Sequence, residues 1–250
     1  MNKFELIRRK INNKRREMIF RKKSKTPNFK LLPGWLLKEI PRDPSFVSQA
    51  AQDWFVATYL YPNKTDGFFL DIGANHPLEI NNSLYFEKIG WTGLAFEPQE
   101  NLCSLWKNLR TTSCVPYLLG SEEKLVSFHV NKEHTLSSVV ETGKGSDTKP
   151  NCISLQQRRL DLVLQKKSIH HVDYMSVDVE GYEKDVLDGI DFSKITIDCI
   201  VLENDEPRFG NEALREYMQT NGYRYIARLC GDDVFVRNGS SVESHYLNQT

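Results

Sequence analysis

The sequence predicts an α/β fold, with a mostly parallel seven-stranded sheet flanked by helices and closed by an antiparallel C-terminal hairpin. Three observations carry this. Short apolar runs alternate with helix-period segments from Gly67 onward, the pattern that builds a parallel sheet. The last two apolar runs, Tyr223 to Leu229 and Asp233 to Arg237, are separated only by a short turn containing Gly231-Asp232, so they must pair antiparallel. The 250 residues, 40% of them hydrophobic, suffice for one sizeable core.

The elements follow in order. Pro27, Pro33, Pro41 and Pro44 make Thr26 to Ser45 an irregular connector, so the domain starts after it. Phe46 to Tyr61 carries apolar residues at helical spacing and stops at Pro62. Gly67 to Ala74 reads as a buried strand and small-residue loop, and Asn82 to Ile89 as a helix ending at Gly90. Thr92 to Glu97 is a second strand, Gln99 to Arg110 an amphipathic helix, and Cys114 to Gly120 a third strand weakened by Pro116. Leu125 to Val130 alternates like a strand, and the polar Asn131 to Asn151 reads as a long loop and active-site lid. Arg159 to Lys166 suggests a helix, Val172 to Asp178 a fourth strand, Tyr182 to Leu187 a helix, Ile195 to Glu203 a fifth strand, and Asn211 to Asn221 a helix before the hairpin. This gives a basic N-terminal extension and connector over 1–45, an α/β domain over 46–240 and a C-terminal tail over 241–250.

Net charge is zero but unevenly spread. Residues 1–30 hold twelve Lys/Arg against Glu5 and Glu17, leaving the remainder ten charges net negative. The basic stretch also carries Phe4, Ile7, Ile11, Met18 and Ile19, so it reads either as a solvated extension or as a helix for an anionic membrane surface, lipid-linked glycan or nucleic acid. The five cysteines form no CxxC pair, and no apolar stretch approaches membrane-spanning length. With no apolar segment behind the N-terminal charges, these features point to a reducing, cytoplasmic setting, peripheral to a membrane if the tail is the lipid-facing helix rather than a solvated extension.

The first strand–helix turn, Asp71-Ile-Gly73-Ala-Asn75-His76-Pro77, has an acid at the strand end but lacks GxGxxG. A pyrophosphate cofactor uses the full glycine set, whereas S-adenosylmethionine has no phosphate and presents an ammonium that an acid suits. Glu97 ends the second strand where such folds use a carboxylate to accept ribose hydroxyls.

Two runs resemble the FkbM-type methyltransferases: FFLDIGANHPLEINNSLYFEKIGWTGLAFEP (Phe68 to Pro98) and the more diagnostic VDYMSVDVEGYEKDVLDGIDF (Val172 to Phe192). The similarity extends from about Gln52 to Asn238, and His76-Pro77 stands where a second glycine often lies, as in a subgroup found with glycan-modifying enzymes. The resemblance implies a class I, Rossmann-like methyltransferase fold, S-adenosylmethionine as donor, and O-methylation of a sugar or glycoconjugate. The expected cofactor-binding set is Asp71, Gly73, Ala74, Asn75, Ser83, Glu97, Pro98, Gly120 and Ser121.

A sugar hydroxyl is a poor nucleophile and needs a base or an acidifying metal. The expected catalytic residues are Asp178 and Glu180 of DVEGYE, with His76 beside the cofactor loop. Asp178, Glu180, Glu203 and Asn204 are the candidate ligands of a divalent cation such as magnesium, and Asp205 is a further strand-end candidate for the chemistry. Helix capping is the structural alternative for Asp178 and Glu180, and a hydrogen-bonding role the alternative for His76. Tyr85, Trp91 and Tyr182 suit a sugar pocket or, more simply, a core; His134 sits in the expected lid. A nucleic-acid substrate is disfavoured by the acidic domain and the lack of an NPPY-type tetrapeptide, and a nicotinamide enzyme by the missing GxGxxG. A methyltransferase for another small molecule and a non-catalytic glycan-binding module remain the rivals.

Overall fold

The computed structural model describes residues 45–130, 138–140 (backbone only), 152–204 and 212–249. The basic extension, His134, Asp205 and most of the 131–151 stretch lie outside the described residues.

In chain order the described elements are α1 (Gln52–Phe55), continued as a π-helical turn over Val56–Leu60, then β1 (Phe68–Ile72), α2 (Leu84–Lys88), β2 (Thr92–Phe96), α3 (Glu100–Leu109), β3 (Ser113–Val115) and β4 (Leu118–Leu119). They continue with β5 (Leu125–His129), β6 (Ser138–Val140), β7 (Cys152–Arg158), α4 (Leu160–Lys166), β8 (His171–Val177) and α5 (Glu183–Asp188). The last are β9 (Thr196–Glu203), α6 (Glu212–Thr220), β10 (Tyr223–Leu229), β11 (Asp232–Arg237) and α7 (Ser241–Leu247).

Seven strands form the main sheet in the order β10-β11-β9-β8-β1-β2-β3. β3, β2, β1, β8 and β9 are mutually parallel, and β11 enters antiparallel between β9 and β10. The expected architecture is therefore the observed one. Alternate residues of the central strands serve opposite faces: Phe69, Tyr174, Val201 and Val234 join one buried cluster, and Leu70, Met175, Ile200 and Phe235 another. The first cluster is covered by Trp54, Phe55 and Leu60 of the N-terminal helix, Phe86 of α2 and Val242 of α7; the second by Leu164 of α4, Leu187 of α5 and Met218 of α6. Burial on both faces explains why these strands read as continuous apolar runs.

Three expectations are corrected. The helix expected from Phe46 begins only at Gln52, because the buried Asp53 carboxylate captures the backbone N–H groups of Val47 (2.7 Å) and Ser48 (3.1 Å) and holds them out of helical pairing. The third strand stops at Val115, before Pro116; Leu118–Leu119 instead pairs with β7 in a second, four-stranded sheet of order β4-β7-β5-β6. Part of the expected lid is strand, since β6 pairs antiparallel with β5. The expected C-terminal tail carries α7, capped by the Ser240 hydroxyl, which accepts the Glu243 N–H at 3.1 Å. Among the described residues no helix is long and apolar enough to cross a membrane.

Candidate active site

Ligands of open parallel sheets bind outside the carboxyl ends of the strands, where strand order reverses; here that is the boundary between β1 and β8. A cleft of about 210 Å³ opens there. It is lined by the loop after β1 (Gly73 to His76, with Glu79, Ile80 and Asn82), the end of β2 (Phe96 to Gln99), Tyr117 to Leu119, Phe128, and the loop after β8 (Asp178 to Glu180, with Tyr182).

The β1 loop is drawn against its neighbours. The N–H groups of Gly73 and Ala74 both donate to the Phe96 carbonyl, at 3.0 and 3.1 Å. Gly73 has φ +77°, and a Cβ there would lie 1.8 Å from the Asp178 carbonyl, so only glycine lets β1 and β8 deliver their loops side by side. Glu97 is buried, accepting from Asn75 N–H at 3.0 Å and Gln99 N–H at 2.9 Å. Burial raises its pKa against the pull of those bonds.

Asp71 faces the cleft with one oxygen already engaged: Oδ2 accepts from Ser83 Oγ (2.6 Å) and Asn81 Nδ2 (3.1 Å). Arg110, fully buried, clamps the same loop, donating to the Pro77 carbonyl, Asn81 Oδ1 and Ser83 Oγ while pairing with Glu87 at 2.9 Å. Burial raises the Asp71 pKa, and Ser83, Arg110 and Asn81 oppose it. His76 lies in the cleft wall with Nδ1 accepting from Leu78 N–H (3.3 Å) and Glu79 N–H (3.1 Å). Nδ1 is thus engaged in the turn, and Nε2 is the ring nitrogen left to face a ligand.

Beyond β8, Glu180 is exposed at φ +56°, and Glu183 secures the loop by accepting the N–H groups of Val179 (3.1 Å) and Gly181 (3.0 Å). The N-cap residue of α5, Tyr182, makes no side-chain capping bond, so Glu183 orders the loop before the helix. Asp178, on the cleft, shares a side-chain hydrogen bond with Glu203 at the end of neighbouring β9. Burial, then Asp232 and Glu180, push Asp178 above the usual carboxylate range; burial, then Asp178 and Glu183, do the same to Glu203. Both carboxyls are thereby biased toward the protonated form.

Of the expected site residues, Asp71, Gly73, Ala74, Asn75, His76, Glu97, Pro98, Asp178 and Glu180 line one cleft. Ser83, Gly120, Ser121, Glu203 and Asn204 do not. Ser83 supports Asp71, and Ser121 binds Asp185 through its N–H (3.0 Å) and hydroxyl (2.7 Å). Asn204 donates its amide to Asp233 at 2.7 Å. Tyr182 lines the cleft and donates to Gln157 Oε1 at 3.0 Å, whereas Trp91 is core and Tyr85 stacks on Phe46. Sequence reasoning missed Arg110 and Asn82. Asn82 lines the cleft, donates to Ser176 Oγ at 2.9 Å, and leaves its buried Oδ1 without a hydrogen-bond partner.

Among the described residues, His171, Asp173 and Asp198 bring three ligand atoms within 4.8 Å of one another. They lie at the opposite end of the sheet, where Arg237 pairs with Asp198 at 2.9 Å and Lys64 with Asp173 at 3.4 Å, so both carboxylates are already neutralised.

A cleft at the switch point of a parallel sheet, built from a glycine turn and strand-end acids, is where α/β folds of this class take a ligand. Residues 71–225 match the family described as Methyltransferase FkbM domain, more than half of the chain. The chain belongs to the FkbM methyltransferase family. Among solved structures it is similar to a methyltransferase FkbM from Methylobacillus flagellatus KT, at 13% identity and a TM-score of 0.42, over 71% of this chain and 46% of that one. The chain thus spans less than half the length of that relative. No curated protein matches it significantly.

Proposed function

We propose that the protein transfers a methyl group from S-adenosylmethionine to a hydroxyl of a sugar or glycoconjugate. The observation that carries this reading is Asp178, a carboxylate with a raised pKa, on the same cleft as the Gly73 turn and Glu97. The residues fit the donor: Gly73 presents backbone without a side chain, Glu97 keeps lone pairs for ribose hydroxyls, and Asp71 and Asn82 Oδ1 offer acceptors to an ammonium. When bound, the donor supplies an electrophilic methyl on a sulfonium. Asp178 receives the acceptor hydroxyl's hydrogen bond and takes its proton, while Glu203 steadies the Asp178 carboxylate through the shared proton. Tyr182 and Tyr117 give the cleft flat faces for a sugar ring.

A second reading places a divalent cation on Asp178 and Glu203, favoured by the acidic groups Glu180, Glu183 and Asp232 that raise their pKa values and whose repulsion a cation would relieve. The test is incubation with methyl-labelled donor and a panel of neutral oligosaccharides, glycolipids, small alcohols and oligonucleotides, read by mass spectrometry. A labelled methyl on a glycan hydroxyl is expected. Label only on oligonucleotide or on non-sugar alcohols would overturn the acceptor class, and failure to bind S-adenosylhomocysteine would overturn the donor.

A further inference from the structure

We propose that the acceptor carries an amine, as an amino sugar does, and that Glu79 and Glu180 on the cleft wall select it by its positive charge. This deepens the acceptor class proposed above and rests on that reading. The cleft wall holds the carboxylates of Asp71, Glu79, Glu97, Asp178 and Glu180, and among the described residues no lysine or arginine lines it. Its imidazole, His76, has Nδ1 engaged in the turn. Asn82 donates its amide N–H to Ser176 Oγ, which leaves its buried Oδ1, an acceptor, as the atom without a hydrogen-bond partner. The described wall therefore meets a ligand with negative charge and with hydrogen-bond acceptors.

The acids differ in what already acts on them. Asp71 accepts from Ser83 and Asn81 with Arg110 close by, and Glu97 accepts two backbone N–H groups, so both are held in the half of the cleft assigned to the methyl donor. The other half is different. The charges acting on Asp178 are Asp232, Glu180 and Glu183, and those acting on Glu203 are Asp178, Glu183 and Glu180, all of them acids. Glu79 and Glu180 are exposed where they line the cleft, one on the loop after β1 and one on the loop after β8, so each of these loops brings a carboxylate to the opening. Glu183 fixes the second loop by accepting the N–H groups on either side of Glu180, and Tyr182 of the same loop lines the cleft. One loop thus supplies both a charge and a ring face. A phosphate, sulfate or carboxylate on the acceptor would enter a field of its own sign, whereas an ammonium relieves the repulsion among these acids and brings three N–H donors to a wall of acceptors.

The experiment is a titration of the full chain, with S-adenosylhomocysteine and EDTA present, by the methyl glycosides of glucosamine, N-acetylglucosamine, glucose and a glucose phosphate, followed by ligand-observed NMR. The glucosamine glycoside should bind at least roughly threefold more tightly than its N-acetyl form, the scale of a partly exposed ion pair. The phosphate should bind at least roughly tenfold more weakly than the glucose glycoside, because like charges meet. Both differences should shrink as salt rises. Glu79→Gln/Glu180→Gln should bring the glucosamine glycoside and its N-acetyl form to equal affinity while leaving the glucose glycoside as it was, a pattern that a general loss of structure does not give. No binding of the glucosamine glycoside, equal or weaker binding of it than of its N-acetyl form, a preference for the phosphate, or a preference for the amine that survives in the double variant would each overturn the proposal. Absence of methyl transfer to every sugar would overturn the reaction proposed above, and the affinities would still decide the selectivity.

Discussion

Glu97 Oε2 accepts the Asn75 N–H at 3.0 Å, so the acid at the end of β2 also fixes the loop that leaves β1. Glu97→Ala removes both a ribose acceptor and a loop tether. Glu97→Gln keeps an oxygen for one of these N–H groups but loses the charge. S-adenosylhomocysteine affinity should therefore fall at least roughly tenfold in Glu97→Ala and less in Glu97→Gln, because a buried hydrogen bond to a charged group is worth about 1.5–3 kcal/mol. Titration calorimetry checks this; equal affinities in all three proteins would remove Glu97 from the site.

Arg110 ties α3 to the β1 loop and to Glu87, and its guanidinium stacks over Trp106 at 4.4 Å. Arg110→Met keeps volume but strands Glu87 and the Pro77 carbonyl. Removing one partner of a buried pair costs about 3–5 kcal/mol, so a lowered denaturation midpoint with unchanged slope is expected. The loss should depend on acid. Burial opposes ionisation of Glu87, but bonds from Thr112, Thr111 and Arg110 outweigh it and bring its pKa down to about 2. Stability from that pair is present above the unfolded glutamate value and vanishes as pH falls through the folded one. The gap between parent and variant should close toward low pH.

The acids near the cleft work in the other direction. Burial pushes Asp232 up to about 7, and Asp178 and Glu203 are also raised. A carboxyl whose folded pKa exceeds its unfolded value binds more protons when folded, so stability falls as pH rises between the two values. The melting temperature without ligand should fall as pH rises from about 4 through about 7 and on into the range of the pair. Asp232→Asn should flatten the first part of that slope, although it also changes the bond from Gln52. A melting temperature that rises steadily across this window would show that these groups ionise freely.

How far the sequence discloses the molecule depends on whether a signal is local. β1, β8 and β9 are buried on both faces, so each is a continuous apolar run that marks itself. The Asp71–Glu97 relation was legible because one strand–helix–strand unit fixes their spacing. β7 was not: Cys152–Arg158 is mostly half-buried or exposed, with no clean alternation, and its identity comes from pairing with β4 and β5. Arg110 and Asn82 were hidden for a related reason. Arg110 reads as the polar end of an amphipathic helix until the fold brings Pro77 and Glu87 to it, and Asn82 gains its place only through Ser176. Gly120 and Ser121, expected at the cofactor, lie off the cleft, where the Ser121 N–H and hydroxyl donate to Asp185, a partner distant in sequence that no local pattern announces.

The chemistry separates on Asp178 and Glu203. If Asp178 is the base, turnover is insensitive to EDTA, and the rate profile has an acidic limb above the ordinary carboxylate range of about 4, because burial and neighbouring acids raise the pair. If the two carboxylates hold a divalent cation, EDTA abolishes turnover and magnesium or manganese restores it. Asp178→Asn lowers kcat far more than it weakens S-adenosylhomocysteine binding under either scheme, since a contact made mainly in the transition state is removed. Glu203→Gln discriminates further. The Glu203 hydrogen bond lowers the Asp178 pKa against burial, Asp232 and Glu180, and a glutamine amide can keep that bond, so a direct base keeps its acidic limb without a shift to lower pH, while a metal site loses an anionic ligand and needs more metal for half-maximal activity. Unchanged kcat in Asp178→Asn would remove this residue from the chemistry and direct attention to Glu180, the exposed carboxylate on the same cleft.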